Sequence, residues 1–361
     1  MNTRTYLIEH NRAYPGLLAK DIFKFLYQSA FGCEHAVTSY EAALAYIRRE
    51  AATIDQSTPP QIDRLDGSYS RVHLSWLNGG LRPETLARMF CLSAQVEEGG
   101  HEALQEKLAV ARELIEGGKL SLDLAEFDRE LALWAKTDYS AVHHSEAFRA
   151  AYRPAYRVIS NRYAEYLPLF ARIDRLLEQR PSDAPSNAPS NDAVIVAIEG
   201  GSANGKTTLA ETLRTLYGCD VFHTDDFFLR PEQRTAQRLA EVGGNLDRER
   251  FFDEVVTPLT RREAVRYRPF NCATQALEPA VTVMPKGLTV VEGAYSMHPA
   301  FGHYYDLAVF LDVPADIQRE RILKRNSPQL ARRFFDEWIP MEHAYFDGMK
   351  IRDRADIVLS F

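Results

Sequence analysis

The chain has 361 residues, room for two domains of ordinary size. Its 45% hydrophobic and 26% charged residues suit a soluble globular protein, and a net charge of −7 argues against a general nucleic-acid or membrane-surface binder. No apolar run is long enough for a membrane span. The residues from Met1 to Tyr6 lack an apolar signal core, and Cys33, Cys91, Cys219 and Cys272 are scattered without C-x-x-C spacing, so buried thiols in a reducing cytoplasm are expected.

Residues 1–179 read as a mostly α-helical domain. Pro15-Gly16 opens a helix over 17–27, and further helices are expected over 40–54, 82–90, 101–115, 122–134, 145–151 and 158–177. Gly117-Gly118 stops the fourth of these. Residues 72–77 form the one candidate strand and could equally be helical. Two stretches carry clustered polar chemistry. Glu34, His35, His73, His143 and His144 are candidates for a metal or ligand pocket. The competing reading is capping and buried hydrogen bonding, with Ser145 as an N-cap, and the spacing matches no metal motif. The wording of this half resembles an uncharacterised helical domain fused to small-molecule kinases, which names no activity.

Residues 180–192, rich in Pro, Ser and Asn, read as a linker with almost nothing to bury. Residues 193–361 then alternate strands and helices, so a parallel sheet flanked by helices is expected, with its ligand at the strands' C-terminal ends. Strands are expected over 193–198, 220–228, 288–293, 307–313 and 355–359. Helices are expected over 209–216, 246–259, 315–324 and 334–350.

The first such end carries Gly200, Gly201, Ser202, Ala203, Asn204, Gly205, Lys206, Thr207 and Thr208, which fit G-x-x-x-x-G-K-[ST] between a buried strand and a helix. A loop wrapped around phosphate must turn backbone N–H groups inward, which glycine permits, and the next helix points its positive end at the anion. Lys206 reaches the outer phosphates, and the Thr207 hydroxyl suits Mg²⁺. Nucleotide triphosphate binding follows, and ATP is the default because no N-K-x-D guanine motif occurs.

Other strand ends supply the rest of a phosphoryl-transfer site. Asp225 is the candidate base, with Asp226 equally suited to cap a helix. Glu292 ends a buried strand and could hold Mg²⁺ through water. Arg321 and Arg325 stand four apart on one helix face, and 326–333, with Arg332 and Arg333, reads as a mobile lid suited to phosphate clamping.

These motifs in this order resemble the uridine kinase and phosphoribulokinase family of P-loop kinases, over roughly 193–361. The carriers are the loop at 200–208, Thr224-Asp225-Asp226-Phe227-Phe228, Gly244-Asn245-Leu246-Asp247, Tyr267-Arg268-Pro269-Phe270-Asn271, Val291-Glu292-Gly293-Ala294-Tyr295, and Arg321 with Arg325. The resemblance implies that Asp225 is the catalytic base and that Asn245 and Asp247 touch the acceptor's sugar, with Tyr267 beside them. It implies Glu292 as the family's E-G glutamate and Arg321 and Arg325 as lid arginines. Arg248-Glu249 follows Asp247 where uridine kinases carry His-Pro, and Tyr295 and His298 have no assigned place.

The expectation is a cytoplasmic, ATP- and Mg²⁺-dependent kinase. Its acceptor is a small hydroxyl compound, a nucleoside first and a pantothenate-like or sugar-like alcohol second. Two other readings stand beside it: an ATP-driven switch that controls partner binding by the N-terminal domain, and an N-terminal domain that is itself an enzyme on the same metabolite. A homo-oligomer is compatible with all three.

Overall fold

In the N-terminal part of the chain, helix ends coincide with residues that satisfy free backbone N–H groups. In the computed structural model, which describes residues 2–33, 37–65, 67–95, 100–180 and 193–361, the side chains of Asn2, Ser39, Asp123 and Ser145 each accept from an N–H of the helix they open. The chain forms two compact units, Met1–Arg175 and Leu176–Phe361. Of the expected linker, only Arg180 falls within the described residues.

The first unit is mainly helical: α1 (Thr3–Ala13), α2 (Ala19–Phe31), α3 (Tyr40–Ala51), α4 (Pro83–Ser93), α5 (His101–Glu116), α6 (Leu124–Ala135), α7 (Glu146–Tyr152), α8 (Asn161–Ala164) and α9 (Leu167–Glu178). Leu7, Ile22, Phe25, Leu26, Phe127 and Phe170 are fully buried within it. It also holds an antiparallel sheet in the order β1-β2-β3, formed by β1 (Ile62–Arg64), β2 (Tyr69–His73) and β3 (Tyr156–Ser160). Val72 pairs with Ile62 on one side and Arg157 on the other.

This sheet corrects two sequence expectations. The candidate strand at 72–77 is extended only to His73. Its ring Nδ1 accepts the Ser75 N–H at 3.1 Å, which turns the chain into a 3₁₀ turn, Leu74–Trp76. The helix expected over 158–177 starts later. Residues Tyr156–Ser160 are a strand whose backbone pairs with β2, and helix resumes only at Asn161. The β-branched pair Val158 and Ile159 packs better on a pleated surface than in a helical first turn.

The second unit is an α/β layer structure. Five parallel strands lie in the order β12-β11-β4-β10-β5: β4 (Val194–Gly200), β5 (Asp220–His223), β10 (Leu288–Glu292), β11 (Leu307–Asp312) and β12 (Ile357–Ser360). Two small antiparallel pairs, β6 (Val265–Tyr267) with β9 (Val281–Val283) and β7 (Phe270–Asn271) with β8 (Ala276–Leu277), precede β10. The helices are α10 (Lys206–Tyr217), α11 (Ala236–Leu239), α12 (Arg248–Phe251), α13 (Thr257–Arg261), α14 (Ala315–Arg325), α15 (Pro328–Arg333) and α16 (Ile339–Gly348).

The expected helix over 246–259 starts at Arg248, capped by Asp247, and passes through a π-helical turn at Phe252–Val256. The expected lid contains α15. Strand β4 is buried throughout, as its unbroken apolar run requires. It is central, and successive strands are added on both its sides, so its C-terminal end faces the crevice where open α/β sheets bind ligands.

Candidate functional site

The loop between β4 and α10 is built by close approach. Gly200 has φ +145°, and a Cβ there would stand 2.7 Å from the Leu311 carbonyl oxygen on β11. Gly205 has φ +94° and opens α10 with no side-chain cap. The first-turn N–H groups of this helix therefore face the loop, the arrangement that holds a phosphate. Ala203 is left-handed at φ +59°, a conformation non-glycine residues seldom adopt.

Side chains from distant segments fix the loop. Asn204 Nδ2 donates to Leu311 O at 2.9 Å, Gln318 Nε2 to Ser202 O at 2.8 Å, and Lys206 Nζ to Gly201 O at 2.9 Å. Glu342 of α16 accepts from both the Ser202 N–H, at 2.9 Å, and its hydroxyl, at 2.6 Å. Arg321 Nη1 donates to Ala203 O at 3.3 Å. Arg325 lies one turn further along α14, exposed and without a hydrogen bond among the described residues. Arg333 pairs with Glu337.

Thr207 Oγ1 donates to Glu292 Oε1 at 3.0 Å, and the His223 ring Nδ1 meets the same oxygen at 2.6 Å. That bond comes first among the causes that raise the pKa of His223. A threonine hydroxyl beside a 4% exposed carboxylate is a hard-oxygen pair of the kind Mg²⁺ takes alongside phosphate oxygens. These donors and the uncapped glycine loop fit ATP and Mg²⁺. Among the described residues no cluster of three or more His, Cys, Asp or Glu could hold a metal alone.

Asp225 lies on the 3₁₀ turn Thr224–Phe227 that follows β5. Its side chain is open to solvent on one side and crowded by protein on the others. That crowding raises its pKa, the charges of Glu292 and Glu342 add to the rise, and Lys206 and His223 oppose it. Asp226 points elsewhere, to the Tyr267 hydroxyl, and its pKa is raised by burial. Asp247 is 2% exposed and already engaged. It accepts from Gln233 Nε2 at 2.9 Å and from the Arg250 N–H at 3.3 Å, and it pairs with the Arg250 side chain. Asn245 Oδ1 is buried without a hydrogen-bond partner among the described residues. The Asn245 side chain is close enough to Tyr295 to shift its phenol, but outside hydrogen-bond geometry.

The sequence reading missed Glu199, Glu342 and His223. Glu199 is fully buried at the end of β4 and accepts from the N–H groups of Gly200, Tyr295 and Met297 and from the Tyr345 hydroxyl, at 3.0–3.1 Å. It has a signal in sequence, an acid closing an apolar strand, the same one that marks Glu292.

Among the described residues, His73, His143 and His144 do not gather into one pocket. Glu34 and His35 lie outside the described residues. His143 is exposed, His73 caps the turn at Ser75, and His144 joins Asp21 and Tyr156. Ser145 caps α7 as the competing reading holds.

No protein-family model and no curated protein matches the chain. Solved structures do resemble it. A possible uridine kinase from Bacillus stearothermophilus is 19% identical, with 53% of this chain and 98% of that one covered and a TM-score of 0.39. A protein assigned as a fructose transport system kinase, from Silicibacter sp. TM1040, is 21% identical over 51% of this chain and 94% of its own, with a TM-score of 0.39. Shikimate kinase from Bacteroides thetaiotaomicron is 14% identical over 46% and 85%, with a TM-score of 0.25. Each likeness spans about half of this chain. The strand order β12-β11-β4-β10-β5, with a glycine loop and an uncapped helix after the central strand, gives the second unit the P-loop α/β fold.

Proposed function

We propose that residues 193–361 form an ATP- and Mg²⁺-dependent kinase for a small hydroxyl compound, joined through 180–192 to a separate N-terminal domain. The observation that carries this reading is Asp225: a solvent-open carboxylate at the sheet edge, in the electrostatic field of Lys206 from the phosphate loop. A nucleotide switch needs no acceptor pocket, whereas a kinase needs a carboxylate facing the acceptor hydroxyl.

In this reading residues 200–208 cradle the nucleotide's phosphates. Asp225 orients the acceptor hydroxyl and takes its proton as the new oxygen–phosphorus bond forms and the terminal phosphoanhydride bond breaks. Lys206, Arg321 and Arg325 stabilise the charge on the transferring group. Thr207 and Glu292 would hold Mg²⁺, which when bound neutralises phosphate charge. Asn245 and Tyr267 contact the acceptor. Asp247 acts with them by holding the segment that carries Asn245, because its own carboxylate is buried. A nucleoside is the leading acceptor, and a pantothenate- or sugar-like alcohol follows. Of the four free cysteines, Cys33 and Cys219 are buried as expected, whereas Cys91 is part-buried and Cys272 exposed, and no helix of the described residues is long and apolar enough to cross a membrane.

The test is an acceptor screen with full-length protein, ATP and Mg²⁺ against nucleosides, pantothenate and simple sugars. Phosphorylated product is read by mass, with Asp225→Asn alongside. Product from one acceptor, lost in the variant, establishes the kinase and names its substrate. Slow ATP hydrolysis with every acceptor unmodified sinks the kinase reading and favours the switch.

A further inference from the structure

The first unit buries a guanidinium that its own residues do not fully satisfy. Arg71, in the middle of β2, is 4% exposed. Its plane lies near two aromatic rings, with Cζ 4.8 Å from the Tyr156 centroid and 5.3 Å from that of Phe25. Nε donates to Gln28 Oε1 at 2.9 Å. Nη1 faces Asp63 Oδ2 at 3.6 Å, beyond hydrogen-bond length, and that oxygen already accepts from the Tyr6 hydroxyl at 2.7 Å. Nη2 is buried with no hydrogen-bond partner among the described residues. A buried charge paired only with a half-exposed carboxylate is among the most costly arrangements in a protein interior, and its persistence calls for a ligand.

A second orphan lies on the same aromatic wall. His10 is 5% exposed and stacks against Tyr6 and Phe25. Its Nδ1 is 3.3 Å from the Tyr6 hydroxyl. Because Tyr6 gives its proton to Asp63, Nδ1 of His10 must be the protonated nitrogen and donate to the Tyr6 oxygen. Nε2 is then a bare acceptor, and it too is buried without a hydrogen-bond partner among the described residues. Burial and the charge of Arg71 hold this ring neutral, with its pKa pushed down to about 2. Around the pair, Tyr14, Lys24, Asp63 and Tyr156 are only partly buried, so polar side chains lead from the surface towards Arg71. The Asp21–His144–Tyr156 chain holds Tyr156 in place, with its Oη 2.7 Å from His144 Nε2 and His144 Nδ1 3.1 Å from Asp21 Oδ1.

We infer that the first unit binds a small metabolite bearing an oxyanion. Arg71 Nη2 donates to a carboxylate or phosphate oxygen, and His10 Nε2 accepts from a hydroxyl or amide N–H of the same molecule. The guanidinium supplies the charge match, and the rings of Phe25 and Tyr156 exclude water around it. This site is independent of the phosphate loop and stands whether or not the second unit is a kinase.

The test uses the full chain with inorganic phosphate, acetate and succinate as probes and glycerol as the neutral control. Binding is read by thermal shift and by the ¹⁵N resonances of His10. The expected result is a saturable stabilisation by at least one anion and none by glycerol. It should survive Lys206→Ala, which removes the loop's cation, and weaken about tenfold or more in Arg71→Lys, which keeps the charge but not the planar fork. The His10 Nε2 resonance should move with the same saturation curve in the wild-type protein, so the inference can be decided even if the Arg71 variant fails to fold. Phosphate-only or carboxylate-only responses distinguish the two ligand classes. An anion response that Lys206→Ala abolishes, or a His10 signal that no probe moves, overturns the assignment.

Discussion

Thr207 Oγ1 donates to Glu292 Oε1 at 3.0 Å, which joins the first turn of α10 to the end of β10. The two elements are far apart in sequence and meet because β4 and β10 are paired in register, Ile198 beside Glu292. If this pair holds the metal, Thr207→Val and Glu292→Gln should each weaken Mg²⁺ affinity, or the activity that depends on it, by roughly 10–100-fold. Nucleotide binding without Mg²⁺ should change little. Titrating Mg²⁺ at fixed ATP checks this. Unchanged half-saturation in both variants removes the pair from the metal site.

Lys206 has a different dependence. Its ammonium is held at the loop by the Gly201 carbonyl, with no ion pair to a carboxylate among the described residues. A charge-assisted hydrogen bond to phosphate is worth about 1.5–3 kcal/mol, so Lys206→Ala should weaken ATP binding by about 10- to 150-fold. The loss should shrink as salt rises. Fluorescence titration with a nucleotide analogue at two ionic strengths measures both.

Asp225 is the residue on which the chemistry turns. Asp225→Asn should lower kcat by about 10²–10⁴-fold with ATP affinity almost unchanged. Its pKa is raised, so the ionised base is lost at a higher pH than an ordinary aspartate would be. Activity should therefore fall as pH drops through that raised value. The residual activity of the asparagine variant should lack this acidic limb. A pH profile of kcat/KM for both proteins tests the assignment, and an identical acidic limb in the variant rules it out.

Much of the second unit was legible because its signals are local. Glycine spacing, an apolar strand and helical periodicity sit side by side at 193–216, and each needs only its own neighbours in sequence. The sheet of the first unit was not legible. In Tyr69–His73, Ser70 and Arg71 are buried as fully as Tyr69 and Val72, so the polar–apolar alternation that marks a strand is absent. In Tyr156–Ser160, the apolar pair Val158-Ile159 merges into the helical pattern that follows.

The site was half legible for the same reason. Thr207 and Glu292 stand in motifs, but Glu342 reaches Ser202 from 140 positions away, a distance that spacing rules do not bridge. Arg321 and Arg325 look equivalent on a helix wheel. The structure separates them, because Ala203 O is within reach of Arg321 and Arg325 has no hydrogen bond among the described residues.

Glu199 offers a test that is separate from activity. Its two oxygens take four donors from three segments, Gly200, the 295–297 turn and Tyr345, and so hold the root of the phosphate loop to α16. Glu199→Gln keeps the shape but turns an amide NH₂ toward two of those donors. Leaving two buried donors unpaired at about 1–3 kcal/mol each should lower the midpoint of the second unit's thermal unfolding by several degrees. The pH dependence separates lost charge from lost shape. Burial pushes the Glu199 carboxyl up to about 7, against the pull of its backbone donors and Lys206, whereas an exposed glutamate titrates near ~4.3. Between those values the folded protein keeps a proton that the unfolded chain has released. This residue's contribution to stability is therefore fully present at the acidic end and lost as pH rises through 7. The glutamine variant should be less stable at every pH and lack that slope, as denaturant midpoints at pH 5, 6, 7 and 8 would reveal. Equal stability of the two proteins across the series would mean that these four donors do not hold the loop.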